Sequence, residues 1–300
     1  METDKPRVLL IGCGFIGTAL LNQLLRSEYR VRVISRHPPL LDSKSAELHR
    51  MEINEALQHD GIWQEVDFVI YTAHHDRPGD REYNVQTDGD LKLINQVLNK
   101  LKGSACKKFV YLSSGGAVYG LPQTKLVDES HLRAPISAYG ESKKRIEDLL
   151  LENSKTADFS TLILRPSNVY GDQEPDRITG IVNHLILCSK LQRNFTIWGD
   201  GNGLKGYLHV NDLNALILLT LQDHETRVGV FNVCSEEYYT PRQLLKMISD
   251  LGYSLQCNFE DQKKFDVCQI QLSSKKVQKA FNWRPNQVLK DYITTHLNHV

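Results

Sequence analysis

The chain has 300 residues, 41% of them apolar, enough to build a large domain with an attached lobe and a sizeable core. Its 36 lysines and arginines balance 36 aspartates and glutamates, so no net field draws it to nucleic acid or to an acidic membrane surface. A ligand carrying phosphates would have to be held by local devices.

Residues Met1 to Arg7 contain no apolar signal core, and the longest apolar runs, such as Ala215 to Leu219, fall far short of a membrane span. Six cysteines (Cys13, Cys106, Cys188, Cys234, Cys257 and Cys268) are scattered without paired spacing. That pattern argues against a disulfide framework and a zinc knuckle, and the expected location is a reducing cytoplasm.

Arg7 to Ile11 reads as a short apolar strand, followed by glycines and a helical pattern through Leu20, Leu21, Leu24 and Leu25. Val31 to Ile34, Val66 to Thr72, Lys108 to Leu112 and Thr161 to Arg165 are further strands, with helices over Gly89 to Leu101 and Ala138 to Leu151. Alternation of this kind builds a parallel sheet with helices on both faces, joined by right-handed crossovers. After Pro166 the pattern loosens into the loops Tyr170 to Asp176 and Trp198 to Gly206. Val210 to Leu221 and the strand Val230 to Val233 are expected to return to the main sheet. Pro241 to Gly252 predicts a helix, and Val277 to Pro285 closes the chain. The predicted class is α/β: a Rossmann-type doubly wound parallel sheet over residues 1–171, rejoined by 206–234, with a smaller α/β C-terminal substrate lobe over 172–300. That lobe should pack over the carboxyl ends of the strands, where open sheets bind ligands.

Gly12-Cys13-Gly14-Phe15-Ile16-Gly17 leaves a strand and opens a helix. In such a turn the first glycine permits the bend, the second admits a pyrophosphate to the backbone, and the third lets helix and strand pack closely. The helix start then offers free N–H groups to phosphate. The second strand ends in Ser35-Arg36 rather than in the carboxylate that grips an NAD ribose. Ser35 leaves room for a 2′-phosphate and Arg36 can pair with one, so NADP is the expected cofactor and NAD the alternative.

Tyr139 and Lys143 lie four apart, on one face of a helix. A phenol, with a pKa of about 10, needs a neighbouring cation before it can shuttle protons at neutral pH. Upstream, Ser113-Ser114-Gly115-Gly116 leaves a strand end with hydroxyls exposed.

Together with Asn84-Val85, Leu164 to Gly171, Trp198 to Gly201, Tyr207 to Asp212 and Asn282 to Pro285, these motifs resemble the extended short-chain dehydrogenase/reductases of the nucleotide-sugar epimerase/dehydratase family. The resemblance implies Tyr139 as acid/base, Lys143 as its partner and a cofactor-ribose ligand, and a serine or threonine on the sugar oxygen. Gly115 stands where that hydroxyl usually lies, so Ser114 is the expected substitute and its neighbour Ser113 the alternative. It further implies that Asn168, Trp198 and Tyr207 contact the nucleotide sugar. Where the family usually carries Arg-Asp-Tyr, this chain has Lys205-Gly206-Tyr207. Lys205 and Lys264 then become the candidate point charges for the pyrophosphate. Pairing as a homodimer is implied in the same way.

His74-His75-Asp76 lacks a matching ligand cluster, so no metal is expected. The leading expectation is an NADPH-dependent reductase acting on the C4 carbonyl of a nucleotide-linked 4-keto sugar. The alternative is a 4-epimerase with tightly held NAD. A dinucleotide sensor without catalysis is disfavoured by the presence of both Tyr139 and Lys143.

Overall fold

The computed structural model describes residues 5–39, 46–75, 89–124, 126–173, 178–223, 225 and 227–298. Asp76, Asn84, Val85 and Asp176, singled out above, lie outside them.

Strand β1 (Arg7–Ile11) runs through the glycine turn into helix α1 (Phe15–Leu24). Next come β2 (Arg30–Ser35), β3 (Glu47–Arg50), the short α2 (Ile53–Ala56), a 3-10 turn at Asp60–Trp63, and β4 (Phe68–Tyr71). Then follow α3 (Gly89–Leu101), β5 (Lys108–Leu112), the one-turn α4 (Gly115–Val118), α5 (Ala138–Asn153) and β6 (Ser160–Pro166). β7 (Asn168–Tyr170), α6 (Ile181–Leu191), β8 (Phe195–Trp198), β9 (Lys205–His209), α7 (Val210–Gln222) and β10 (Gly229–Val233) continue the chain. It finishes with β11 (Glu237–Tyr239), α8 (Pro241–Asp250), β12 (Cys257–Glu260), α9 (Lys275–Phe281) and α10 (Leu289–Asn298).

Seven strands form one parallel sheet in the order β10-β6-β5-β4-β1-β2-β3. The order reverses between β1 and β4, and the crevice at such a switch point is where a doubly wound sheet takes its ligand. Because both faces are covered, the central strands β1 and β4 are apolar almost throughout, and their alternate residues serve opposite cores. Val8 and Leu10 of β1 pack with Leu20, Leu21 and Leu24 of α1 and with Leu213, Leu216 and Ile217 of α7. Leu9 and Ile11 face the other side, with Leu93, Ile94 and Val97 of α3 and Ile146 and Leu150 of α5. Each such fully buried side chain contributes roughly 1.5–3 kcal/mol relative to an exposed one.

Two polar devices supplement these cores. Lys108, buried in β5, donates through Nζ to the carbonyls of Thr220 and Asp223 and so anchors the end of α7, where a cation meets the negative pole of the helix. Arg32 of β2 donates to Glu47 of β3 at 2.7 Å and to the Ile62 carbonyl at 2.6 Å. The Glu47–Arg50 strand is absent from the sequence-predicted elements because Glu-Leu-His-Arg carries no apolar alternation. Backbone pairing to β2 and the Arg32 bond hold it at the sheet edge instead.

The smaller lobe has a three-stranded sheet, β11-β9-β7, a two-stranded ribbon, β12-β8, and helices α6, α8 and α10 around a core that includes Leu185, Leu244, Ile248, Leu289 and Ile293. Helix α8 starts at a capping box between Thr240 and Gln243, with Pro241 in its first turn. The chain passes between the two parts more than once. β7 and β9 pair in the small sheet, α7 and β10 belong to the large one, and Val277 of α9 and Trp283 pack on its α1–α7 face. Among the described residues no helix is long and apolar enough to cross a membrane.

Trp283 is buried, and its indole N–H donates to the Asp212 carbonyl at 3.1 Å. Trp283→Ala is expected to destabilise the protein by about 3–5 kcal/mol, whereas Trp283→Phe, which fills most of the space, should lose only about 1–2 kcal/mol. Denaturant unfolding of the two variants checks the order.

Candidate active site

The glycine turn lies at the switch point. Gly12 has φ = +102°, and a Cβ there would come within 2.7 Å of the Ala73 nitrogen. A Cβ on Gly17 would come within 2.1 Å of the Gly12 carbonyl oxygen, so the helix start rests directly on the turn. Gly14, the N-cap residue, faces open space. Helix α1 has no side-chain cap and no acidic residue in its first turn. The N–H groups of Phe15, Ile16 and Gly17 thus remain for an anion, and the residues present fit a dinucleotide pyrophosphate. A cleft of ≈ 660 Å³ opens there, bounded by Gly14 and Phe15 on one side and by Asp172, His209 and Asn211 on the other.

At the end of β2 the Ser35 hydroxyl accepts from the His37 N–H at 3.3 Å. The Arg36 side chain is 56% exposed, and its Nε lies 3.7 Å from a Glu52 carboxylate oxygen. Glu52 follows β3 and reaches the corner of Ser35 and Arg36 through the pairing of Ser35 with Arg50.

The chemistry-bearing side chains gather at the carboxyl end of β5. Helix α5, N-capped by Ser137, whose hydroxyl accepts from the Gly140 N–H, carries Tyr139, Lys143 and Glu147 four residues apart. The half-buried Tyr139 phenol hydrogen-bonds with Ser114. Burial pushes the phenol up to about 12; the Ser114 bond works against that rise and the charge of Asp90 adds to it. Lys143 is buried and donates to the Leu112 carbonyl at 2.7 Å. Its ammonium lies 5.6 Å from the centre of the Tyr139 ring. Burial draws its pKa down to about 7, opposed by Asp90 and Glu147.

Ser113 and Ser114 part company. Ser113 is buried and donates to Glu147 Oε1 at 2.5 Å. The same carboxylate accepts from Arg165 Nε at 2.9 Å and Nη2 at 2.6 Å, and from Arg133 Nη1 at 2.9 Å. Arg165 also donates to the Tyr119 hydroxyl at 2.5 Å, which donates to Asn232 at 2.8 Å. A Cβ at Gly115 would come within 2.3 Å of the Leu272 side chain and 3.0 Å of the Arg165 carbonyl oxygen.

The lobe residues named from sequence separate into two groups. Asn168 lies opposite Tyr207 in the β7–β9 ladder, exposed, with its amide donating to the Gly206 carbonyl at 2.9 Å. Tyr207 points into the lobe core, 1% exposed. The second group lies around the β8–β12 ribbon. Trp198 is exposed beneath the Lys263 ammonium, 4.3 Å from its ring; Lys205 approaches Asp266 at 3.5 Å; and the exposed Lys264 lies beside Phe265. Glu147 and Asp90 were missed in the sequence. The signal for Glu147 was present, since it continues the Tyr139–Lys143 face by one more turn. Asp90 gave none, because its partners His74 and His75 precede it by a long connection.

An uncapped glycine-turn helix at the switch point, with a Tyr–Lys pair and a serine at the neighbouring strand end, defines a dinucleotide-dependent enzyme of the short-chain dehydrogenase/reductase type. The family model described as "NAD dependent epimerase/dehydratase family" matches residues 8–234. The chain belongs to that family. A Methanocaldococcus jannaschii relative bearing the provisional name UDP-glucose 4-epimerase is 27% identical, over 96% of this chain and 95% of its own. The dTDP-4-dehydro-6-deoxyglucose reductase of Escherichia coli is also 27% identical, over 98% of this chain and 97% of its own. The solved UDP-glucose 4-epimerase of Thermotoga maritima, with UDP-glucose, superimposes with a TM-score of 0.86 at 25% identity, covering 98% of each chain.

Ser114→Ala, which removes the hydroxyl bonded to Tyr139, should slow the chemical step by about tenfold or more. Ser113→Ala should leave turnover nearly intact and cost about 1 kcal/mol of stability, since Glu147 keeps its guanidinium partners. Paired measurements of kcat and unfolding on both variants test the assignment; a slow Ser113 variant with a normal Ser114 variant would reverse it.

Proposed function

We propose that the chain is a nucleotide-sugar 4-epimerase that works with a retained NAD. The observation that carries this choice over reduction is Glu52 beside Arg36. The cation that would select a 2′-phosphate is shared with a carboxylate, which would repel that phosphate. The names of the relatives, which include UDP-glucose and UDP-arabinose 4-epimerases, support the same reading and a UDP-linked sugar as substrate. The second reading, NADPH-dependent reduction of a nucleotide-linked 4-keto sugar, is supported by the exposure of Arg36 and by the E. coli relative.

In the epimerase reading, Gly12, Gly14, Phe15, Ile16 and Gly17 hold the pyrophosphate, Ser35 and Arg36 border the adenosine ribose, and Lys143 turns from the Leu112 carbonyl to the nicotinamide ribose. A nicotinamide held there would supply a reversible acceptor for the hydride of the sugar C4. Tyr139 takes the proton of the C4 hydroxyl and gives it back after the sugar has turned its other face. Ser114 holds that oxygen in line. A phenol near 12 is a poor base at neutral pH, so the charge of Lys143 has to favour its ionised form. Asn168, Trp198, Lys205 and Lys264 border the nucleotide sugar, and Tyr207 supports β9 from beneath. Two copies are proposed to pair through the faces of α3 and α5; a monomer in light scattering at micromolar concentration would discard that pairing.

The purified protein is expected to carry NAD and to interconvert UDP-sugar C4 epimers with no net cofactor turnover. Tyr139→Phe should keep cofactor binding and lose about 10²–10⁴-fold in kcat; near-normal turnover would remove Tyr139 from the mechanism. Cofactor titrations decide the second reading. If NADPH binds more tightly than NADH, and Arg36→Ala weakens NADPH alone by about tenfold to a hundredfold, the reductase reading replaces the epimerase.

A further inference from the structure

We propose that His74, held by Asp90, is a positioning residue for Tyr139: a charged imidazole packed against the phenol that cancels the field of a buried carboxylate. The proposal rests on Tyr139 being the acid/base.

Beyond β4 the chain brings His74 and His75 against Asp90, in the first turn of α3. Asp90 is 3% exposed. Its Oδ2 lies 2.9 Å from His74 Nδ1 and accepts from the His75 backbone N–H at 2.9 Å, while its Oδ1 lies 2.6 Å from His75 Nδ1. Burial works to raise its pKa, but the bond and charge of His74, then the backbone and ring of His75, hold it well below the usual carboxylate range. An ionised carboxylate at that depth needs a counter-charge and partners on both oxygens. His74 and His75 are the groups that meet the two oxygens. His75 is 47% exposed, whereas His74 is buried and stands edge-on to the Tyr139 ring, with centroids 4.9 Å apart.

The other groups around Tyr139 do not offset Asp90 in the same way. From α5, Lys143 donates to the Leu112 carbonyl, and burial works against the charge it brings to the phenol; Glu147 lies behind it in its own guanidinium network. From β5 and β4 come the buried phenols Tyr111 and Tyr71, which are held un-ionised by burial, and Ser114 bonds the Tyr139 hydroxyl. Asp90 is the carboxylate whose charge opposes ionisation of Tyr139, and His74 touches both. A neutral residue at 74 would leave that opposition in place.

Two measurements test this. In NMR titrations of histidine-labelled protein, with His74 assigned by its loss in His74→Gln, the wild-type ring should remain protonated through the neutral range. Asp90→Asn should lower its titration by about one pH unit or more; identical titration in both proteins overturns the proposal. In the pH profile of kcat, His74→Gln, which can still hydrogen-bond Asp90, should move the acid limb up by about one unit. Adding Asp90→Asn should bring it back toward the wild type. A limb unmoved in His74→Gln, or a double variant no closer to wild type than the single, overturns the proposal in favour of simple packing. A wild type inactive on every nucleotide sugar tried would sink the functional reading, while the NMR titration would still uphold or overturn the Asp90–His74 pair.

Discussion

The Glu147 side chain has no exposure to solvent, and the geometry of the site is built around that fact. A carboxylate so placed is tolerable only with cations and donors on both oxygens. Arg165 reaches it from β6, Arg133 from the segment before α5, and Ser113 from the end of β5. These bonds hold the rotation and register of α5 against the sheet, and Lys143 and Tyr139 lie one and two turns back along the same helix. The packing of Ile146 and Leu150 alone would hold α5 to the sheet, but apolar contact is less exacting about register than charged forks.

The network also explains the division of labour between two adjacent serines. Since Ser113 is consumed by Glu147, Ser114 at the mouth of the strand is the hydroxyl left to meet Tyr139. Gly115 beneath Leu272 lets one-turn helix α4 begin immediately afterwards. Burial is the common currency here: it raises the phenol, lowers the lysine and makes every nearby carboxylate matter. Lys143 donates to a backbone carbonyl beside Tyr139, and His74, which meets Asp90, stands edge-on to the ring.

The two lobes share their elements. Asp212, at the start of α7 on the large sheet, accepts the N–H groups of Asn286 and Gln287 through its side chain and the Trp283 indole through its carbonyl. This ties the approach to α10 to the large sheet and holds the small lobe beside the crevice.

Much of this was legible in the amino-acid order. Contiguous apolar runs fall on β1 and β5, the periodicity of Gly89 to Leu101 falls on α3, and the glycine turn and the Tyr–Lys spacing are local patterns that specify their own geometry. Local backbone sterics and side-chain period suffice for such features, because all the interacting residues lie within a few positions of one another. The tertiary structure alone decided the rest. It set Glu52 against Arg36, turned Tyr207 inward, removed Ser113 from the reacting centre and brought Asp90 under His74. Each of these depends on two segments distant in sequence meeting in a buried place. The worth of a charge there is set by desolvation and by its partner, neither of which is written in the spacing of residues along the chain.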